Sequence, residues 1–245
     1  MAEVVGLIPC AGKGSRLSLP FSKEMFPDVH SSSYRPVVMH TIDVMKRANI
    51  EHVIFTINPQ KTDLLRFLGN GSQFGMNFTY CIHPEPRSLP ESINEAFHLI
   101  QDKVVAFAMP DTVITPPDFM KDLVARHLLQ DSFDVSLACF QTTTPSKFGM
   151  VAYDNDLVID IVDKPANTDL TWMWGAMVWN PVTIHQLKQY VTENKDRSEK
   201  GELILSDALA NLIKQKRVGM NRFYEGTYRD LGTYDEIVEW AGVRL

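Results

Sequence analysis

A chain of 245 residues with 44% hydrophobic and 22% charged residues can bury a large core, and a single α/β domain is expected. Its formal net charge of −6 argues against a nucleic-acid surface, which needs a clustered excess of Lys and Arg, so any phosphate binding has to be local. No apolar run approaches the roughly 20 residues that span a bilayer, the start at Met1 lacks a basic leader, and Cys10, Cys81 and Cys139 have no metal spacing; these point to buried thiols in a cytoplasmic protein with neither nucleic-acid nor membrane partners.

Residues 4–9 form a short apolar run that leads into a Gly-containing segment, as a buried parallel strand does before its loop. Val38, Ile42 and Met45 have helical spacing within a predicted helix over 37–48, and 53–57 reads as the second strand. Helix over 61–68, strand over 78–82, helix over 92–100, strand over 104–108 and helix over 118–129 continue the alternation, which implies right-handed βαβ crossovers. In such a sheet the ligand crevice lies beyond the carboxyl ends of the strands, where the loops after Pro9 and Ala108 emerge. The second half changes character. Strands over 150–153 and 158–162 flank Asp154-Asn155-Asp156, a hairpin signal. Ser206 and Thr233 read as helix N-caps, and Thr233 with Glu236 has capping-box spacing before a last helix over Tyr234–Trp240. No repeat or linker divides the chain, so both halves are expected to share one sheet.

The segment Leu7-Ile8-Pro9-Cys10-Ala11-Gly12-Lys13-Gly14-Ser15-Arg16-Leu17 puts two glycines, a hydroxyl and two cations directly after a buried strand. Glycines let backbone N–H groups approach phosphate oxygens, and Lys13 and Arg16 can neutralise phosphate charge. A Rossmann fingerprint needs a third glycine where Leu17 stands, and a Walker A frame is absent. Taken alone, the loop is also compatible with an ordinary Gly-rich turn. It is followed by Ser22-Lys23-Glu24-Met25-Phe26-Pro27.

With Gly12, Gly14, Ser15, Arg16, Leu17, Lys23 and Pro27 in that order, the chain resembles the nucleoside-diphosphate-sugar pyrophosphorylases, closest to the glucose-1-phosphate thymidylyltransferase group. Further matches run nearly end to end: Asn58-Pro59-Gln60, residues 68–75, Asp111 in Met109-Pro110-Asp111-Thr112, Phe148-Gly149-Met150-Val151, Asp163-Lys164-Pro165, Lys200-Gly201-Glu202-Leu203 and Tyr228-Arg229-Asp230-Leu231-Gly232-Thr233. The resemblance implies a single Rossmann-like (GT-A-like) nucleotidyltransferase domain over 1–245 with a mixed, mostly parallel central sheet. Residues 1–130 would bind mainly the nucleotide and 131–245 mainly the sugar phosphate. It further implies that Ala11, Gly12, Lys13, Gly14, Ser15, Arg16, His83 and Leu89 contact the nucleoside triphosphate. Arg16, Lys23 and Lys164 would be catalytic, and Gly149, Asp163, Lys164, Gly175 and Lys200 would face the sugar 1-phosphate. Asp111 and Asp230 would hold Mg²⁺.

Two departures bear on the nucleobase: His83 stands where many relatives carry a glutamine that reads a pyrimidine, and Ser88-Leu89-Pro90-Glu91-Ser92 replaces a more typical Gly-Leu-Ala-Gln-Ala stretch near that base. Two others lie on the sugar-phosphate side: Asp163 replaces a glutamate, and Lys200 replaces an arginine, which turns a bidentate phosphate contact into a point charge. The reaction implied needs no general base, because a sugar phosphate oxygen is already ionised near neutral pH; positioning and charge neutralisation carry it. Two other readings stand beside this one: a cytidylyltransferase for choline phosphate or a similar alcohol phosphate, with Trp172 and Trp174 as an aromatic cage, and a catalytically silent sugar-nucleotide sensor or partner subunit. Asp154-Asn155-Asp156 is also a D-x-D sequence, but a hairpin turn explains it better than a metal motif. The nucleotide, the sugar and the oligomeric state are left open.

Overall fold

The computed structural model describes residues 3–14, 16–85, 87–198 and 201–242. The elements in chain order are β1 (Val4–Cys10), α1 (Val38–Arg47), β2 (His52–Ile57), α2 (Thr62–Leu68), β3 (Asn77–Ile82), α3 (Leu89–Glu95), α4 (Phe97–Ile100), β4 (Val104–Ala108), β5 (Thr112–Thr115), α5 (Phe119–Leu129) and β6 (Val135–Gln141). They continue as β7 (Gly149–Asp154), β8 (Leu157–Asp163), β9 (Trp172–Trp179), α6 (Pro181–Glu193), α7 (Lys195–Ser198), α8 (Leu205–Lys214), β10 (Val218–Arg222), β11 (Thr227–Asp230) and α9 (Tyr234–Trp240). A nine-stranded sheet has the order β3-β2-β1-β4-β9-β6-β10-β8-β7, so both halves of the chain contribute to it.

Strand β1 is buried from Val5 to Cys10 because helices cover both faces of the sheet. Its side chains alternate: Val5 and Leu7 join one core with α3, α4, α6 and α8, whereas Ile8 and Cys10 join the other with α1, α2 and α5. The expected α/β alternation is therefore present, but the sheet is not mostly parallel. Parallel pairing links β3, β2, β1 and β4, and also β6 with β10. Antiparallel pairing is as frequent: β9 inserts between β4 and β6 against both, and the β7–β8 hairpin closes the edge beside β10.

Local signals hold with two adjustments. The helix expected over 92–100 starts earlier and divides at Ala96, because the Ser88 hydroxyl caps it by accepting from Glu91 N at 3.4 Å and Pro90 fits its first turn. Ser206 is not an N-cap. It lies in the first turn of α8, whose N-cap is Ile204 without a side-chain bond. Thr233 does cap α9: its hydroxyl accepts from Glu236 N at 3.4 Å and donates to Glu236 Oε2 at 2.9 Å. The D-x-D segment is the β7–β8 turn, with Asn155 at φ 53° and Asp156 ion-paired to Arg222 at 2.8 Å. All three cysteines are buried and free.

Candidate active site

The loop after β1 opens at the carboxyl edge of the sheet, as expected for a strand bounded by parallel neighbours. Its first residue, Ala11, is fastened from β2's end: buried Asn58 donates Nδ2 to the Ala11 carbonyl at 2.7 Å. Gly14 has φ 64°, a left-handed conformation that favours glycine, and its carbonyl accepts from Leu17 N at 3.2 Å to close a tight turn. A Cβ on Gly12 would meet nothing within 4 Å, so the backbone there faces open space. Lys13 and Arg16 are exposed and form no ion pair with a described residue. Ser15 lies outside the described residues.

Leu17 turns inward. It is 1% exposed in a small third core with Val37, Leu231, Ile237 and Trp240, so the loop packs directly against the residue that follows Asp230. Leu17→Ala is expected to cost about 2–5 kcal/mol, the usual range for a buried Leu, and to loosen the glycine loop. Thermal unfolding and amide hydrogen exchange over the loop check both; unchanged exchange in the destabilised variant would show that this core does not order the loop.

Lys23 sits in a 3₁₀ turn over Lys23–Met25 and donates Nζ to Asp111 Oδ2 at 2.5 Å. Burial opposes its charge, but the carboxylates of Asp111 and Glu24 prevail and hold the ammonium well above the usual lysine range. Asp111 is 4% exposed, between β4 and β5. Strand β11 pairs antiparallel with β5, placing Asp230 opposite Thr112, and Leu231 N donates to the Asp111 carbonyl at 2.9 Å. This short ladder brings together two aspartates far apart in sequence. Burial, then Asp111 and Glu236, push the Asp230 carboxyl up to about 6, with Lys23 partly offsetting them. A cavity of about 550 Å³ borders Asp230, Tyr228, Phe148 and Lys147.

His83 follows β3, and its backbone N donates to Ile57 O at 2.7 Å; its imidazole Nδ1 is buried without a hydrogen-bond partner among the described residues. Only β2 separates β3 from β1, a span of about 10 Å at the usual strand spacing. Leu89 is half-buried at the first position of α3, which packs on β1 and β2.

On the far side of the sheet, Gly149 opens β7 opposite Asp163 at the end of β8, and Lys164 N donates to Phe148 O at 2.9 Å. These three predicted residues are thus gathered at the open end of one hairpin. Lys164 is largely exposed, at φ 45°, with Nζ 3.0 Å from Asp163 Oδ2. Both glycines have a packing reason as well. A Cβ on Gly149 would collide with Trp174 Nε1, and one on Gly175 would fall 2.5 Å from the Tyr228 ring. Lys200 lies outside the described residues.

Residues 5–242 match the family model described as nucleotidyl transferase. The chain belongs to the nucleotidyl transferase family. It is 22% identical over 240 residues to a glucose-1-phosphate thymidylyltransferase of Neisseria meningitidis, covering 96% of this chain and 81% of that one. The structure of a UDP-glucose pyrophosphorylase complexed with UDP-glucose superposes with a TM-score of 0.79 at 20% identity, over 99% of this chain and 98% of that one. A UTP-bound UGPase from Acinetobacter baumannii gives 0.76 at 18% identity, over 98% and 92%. This family's fold is therefore that of an α/β nucleotidyltransferase. Asn58, Asp63, Glu24 and Lys61 also build the site, although sequence reasoning gave none of them a role: each acts on a partner distant in the chain, and no local spacing announces it.

Proposed function

We propose that the protein condenses a sugar 1-phosphate with a nucleoside triphosphate, giving a nucleoside-diphosphate sugar and pyrophosphate, in a single Rossmann-like, GT-A-like domain. The observation that carries this reading is the convergence of Lys23, Asp111 and Asp230 beside the glycine loop with its exposed Lys13 and Arg16. A binding protein has no need of a full set of leaving-group cations and opposed carboxylates.

The two aspartates fit Mg²⁺: the buried Asp111 and half-buried Asp230, close enough for Asp111 to raise the Asp230 pKa, are hard oxygen donors that a divalent cation would neutralise. When bound, Mg²⁺ supplies charge neutralisation at the reacting phosphates. The loop backbone over Ala11 to Gly14 and Ser15 cradles the triphosphate. Arg16 and Lys23 stabilise the departing pyrophosphate, and Lys164 orients the incoming sugar phosphate while its charge offsets repulsion between the two anions. Gly149, Asp163, Gly175 and Lys200 line the sugar side, and His83 and Leu89 the base side, so that residues 1–130 serve mainly the nucleotide and 131–245 the acceptor. The compartment we propose is the cytoplasm. No helix among the described residues is long and apolar enough to cross a membrane.

A panel crossing five nucleoside triphosphates with sugar 1-phosphates and choline phosphate, read by pyrophosphate release, tests the function. We expect dTTP or UTP with a hexose 1-phosphate to be fastest; silence with every pair would leave a sensor or partner subunit. The choline phosphate reading is less well supported. Trp172 is buried edge-to-face against Tyr224, with ring centroids 5.2 Å apart, and the Trp174 indole fills the space that a Gly149 side chain would take. His83 Nδ1 has no partner among the described residues and could meet a base, yet an imidazole cannot offer a pyrimidine the donor and acceptor pair of an amide. His83→Gln is therefore expected to sharpen the pyrimidine preference by about ten- to hundredfold, the value of one well-placed buried polar contact. Ratios of kcat/KM across the panel check it, and an unchanged ratio removes His83 from base recognition.

A further inference from the structure

The segment carrying Lys23 is anchored at three consecutive residues, and the third anchor has no part in the mechanism above. Ser22 donates its backbone N to Asp63 Oδ2 at 2.7 Å and its hydroxyl to Asp63 Oδ1 at 2.5 Å. Lys23 binds Asp111. Glu24 Oε2 accepts from Lys61 Nζ at 2.6 Å, with side chains 0% and 5% exposed. Asp63 and Lys61 belong to the start of α2, so one helix end holds the residues on both sides of Lys23.

Stability alone does not account for this pair. Two buried charges lose their hydration, and a well-packed apolar pair of similar volume often stabilises a fold as much or more. The other Glu24 oxygen, Oε1, is buried without a hydrogen-bond partner among the described residues, a further cost that packing does not recover. The pair therefore has a reason to be charged. Glu24 is one of the carboxylates that act on Lys23, and Lys61 lines a cavity of about 560 Å³ together with Lys13, Ser22 and Asn58.

We propose that Glu24 and Lys61 are positioning residues for Lys23, an inference that rests on the reading of Lys23 as a phosphate-binding lysine. Lys61 fixes the Glu24 carboxylate, and Glu24 fixes the turn and orients the neighbouring ammonium. When substrate arrives, only the Lys23 side chain then has to move from Asp111 to a phosphate oxygen, while its backbone stays in place. Preorganisation of this kind acts on the transition state and so on kcat more than on KM.

The test uses the full chain with Glu24→Gln, Lys61→Met and the double variant Glu24→Met/Lys61→Met, each also combined with Lys23→Ala. Melting temperature and the kcat and KM for pyrophosphate release are measured. The apolar double variant is expected to keep or regain the wild-type Tm yet lose about tenfold in kcat, within the coupling range of residues in one charge network, and to lose almost nothing further when Lys23 is already Ala. Near-isosteric Glu24→Gln preserves the packing and is expected to lose kcat in the same non-additive way. Wild-type kcat in either folded variant, or a loss that adds in full to that of Lys23→Ala, would overturn the inference and leave a structural ion pair. Inactivity of the wild-type chain across the whole substrate panel is a different result: it removes the proposed reaction, and the positioning role with it.

Discussion

Asp111→Asn and Asp230→Asn are each expected to reduce pyrophosphate release by at least about 10³-fold, because a neutral amide is a poor partner for the Mg²⁺ that we propose these carboxylates hold. Asp111 is buried beside Lys23, and Asp230, opposite Thr112 on the β5–β11 ladder, lies near enough for both to act on its carboxyl. The same geometry predicts an opposite effect on stability for Asp230. Its folded-state pKa of about 6 lies above the ordinary 3.8, first through burial and then through Asp111 and Glu236. The folded chain therefore binds this proton more tightly than the unfolded chain. Ionising Asp230 costs stability above pH about 6, and that cost fades as the pH falls from 6 towards 3.8. At neutral pH in chelator, Asp230→Asn should melt a few degrees higher than wild type, as 1 kcal/mol corresponds to about 2–4 °C in a chain of this size. Thermal melts with and without Mg²⁺, alongside turnover, check both halves. Full wild-type activity in excess chelator, or an Asn variant with normal turnover, would contradict the assignment of these carboxylates.

Lys23→Ala is expected to lower kcat by roughly 10²–10³, the scale for removing one preorganised charge-stabilising contact. The variant is also expected to lose stability. Lys23 is half-buried against Asp111, and its loss leaves Asp111, Asp230 and Glu24 without their shared cation. Breaking a buried pair from one side is destabilising, so Tm should fall in chelator. Mg²⁺ should recover part of the loss by supplying positive charge at the same carboxylates. Arg16→Ala is the contrasting case: its side chain is exposed without a described ion pair, so turnover should fall with Tm unchanged. A folded Lys23→Ala protein with near wild-type turnover would take Lys23 out of the mechanism.

The amino-acid sequence by itself determined the short-range features. The continuous apolar run of β1, the glycine turn after it, the helical spacing of α1 and the Thr233–Glu236 cap all follow from interactions within a few residues, and each stands in the structure near its predicted place. The order of motifs also pointed to the family before any strand was paired. Tertiary structure decided what depends on distant chain segments. Where β9 inserts, and hence that the sheet is as much antiparallel as parallel, is set by side-chain packing between strands rather than by any local pattern. The approach of Asp230 to Asp111 depends on the pairing of β5 with β11, which sets Asp230 opposite Thr112 and ties Leu231 N to the Asp111 carbonyl. The Glu24–Lys61 pair and the Asn58 clasp on Ala11 likewise exist only because α2 and the end of β2 pack against the loop segments that follow β1. A charge in a sequence does not say whether water or a distant partner will surround it; the packed chain settles that, through the cost of burying a charge alone.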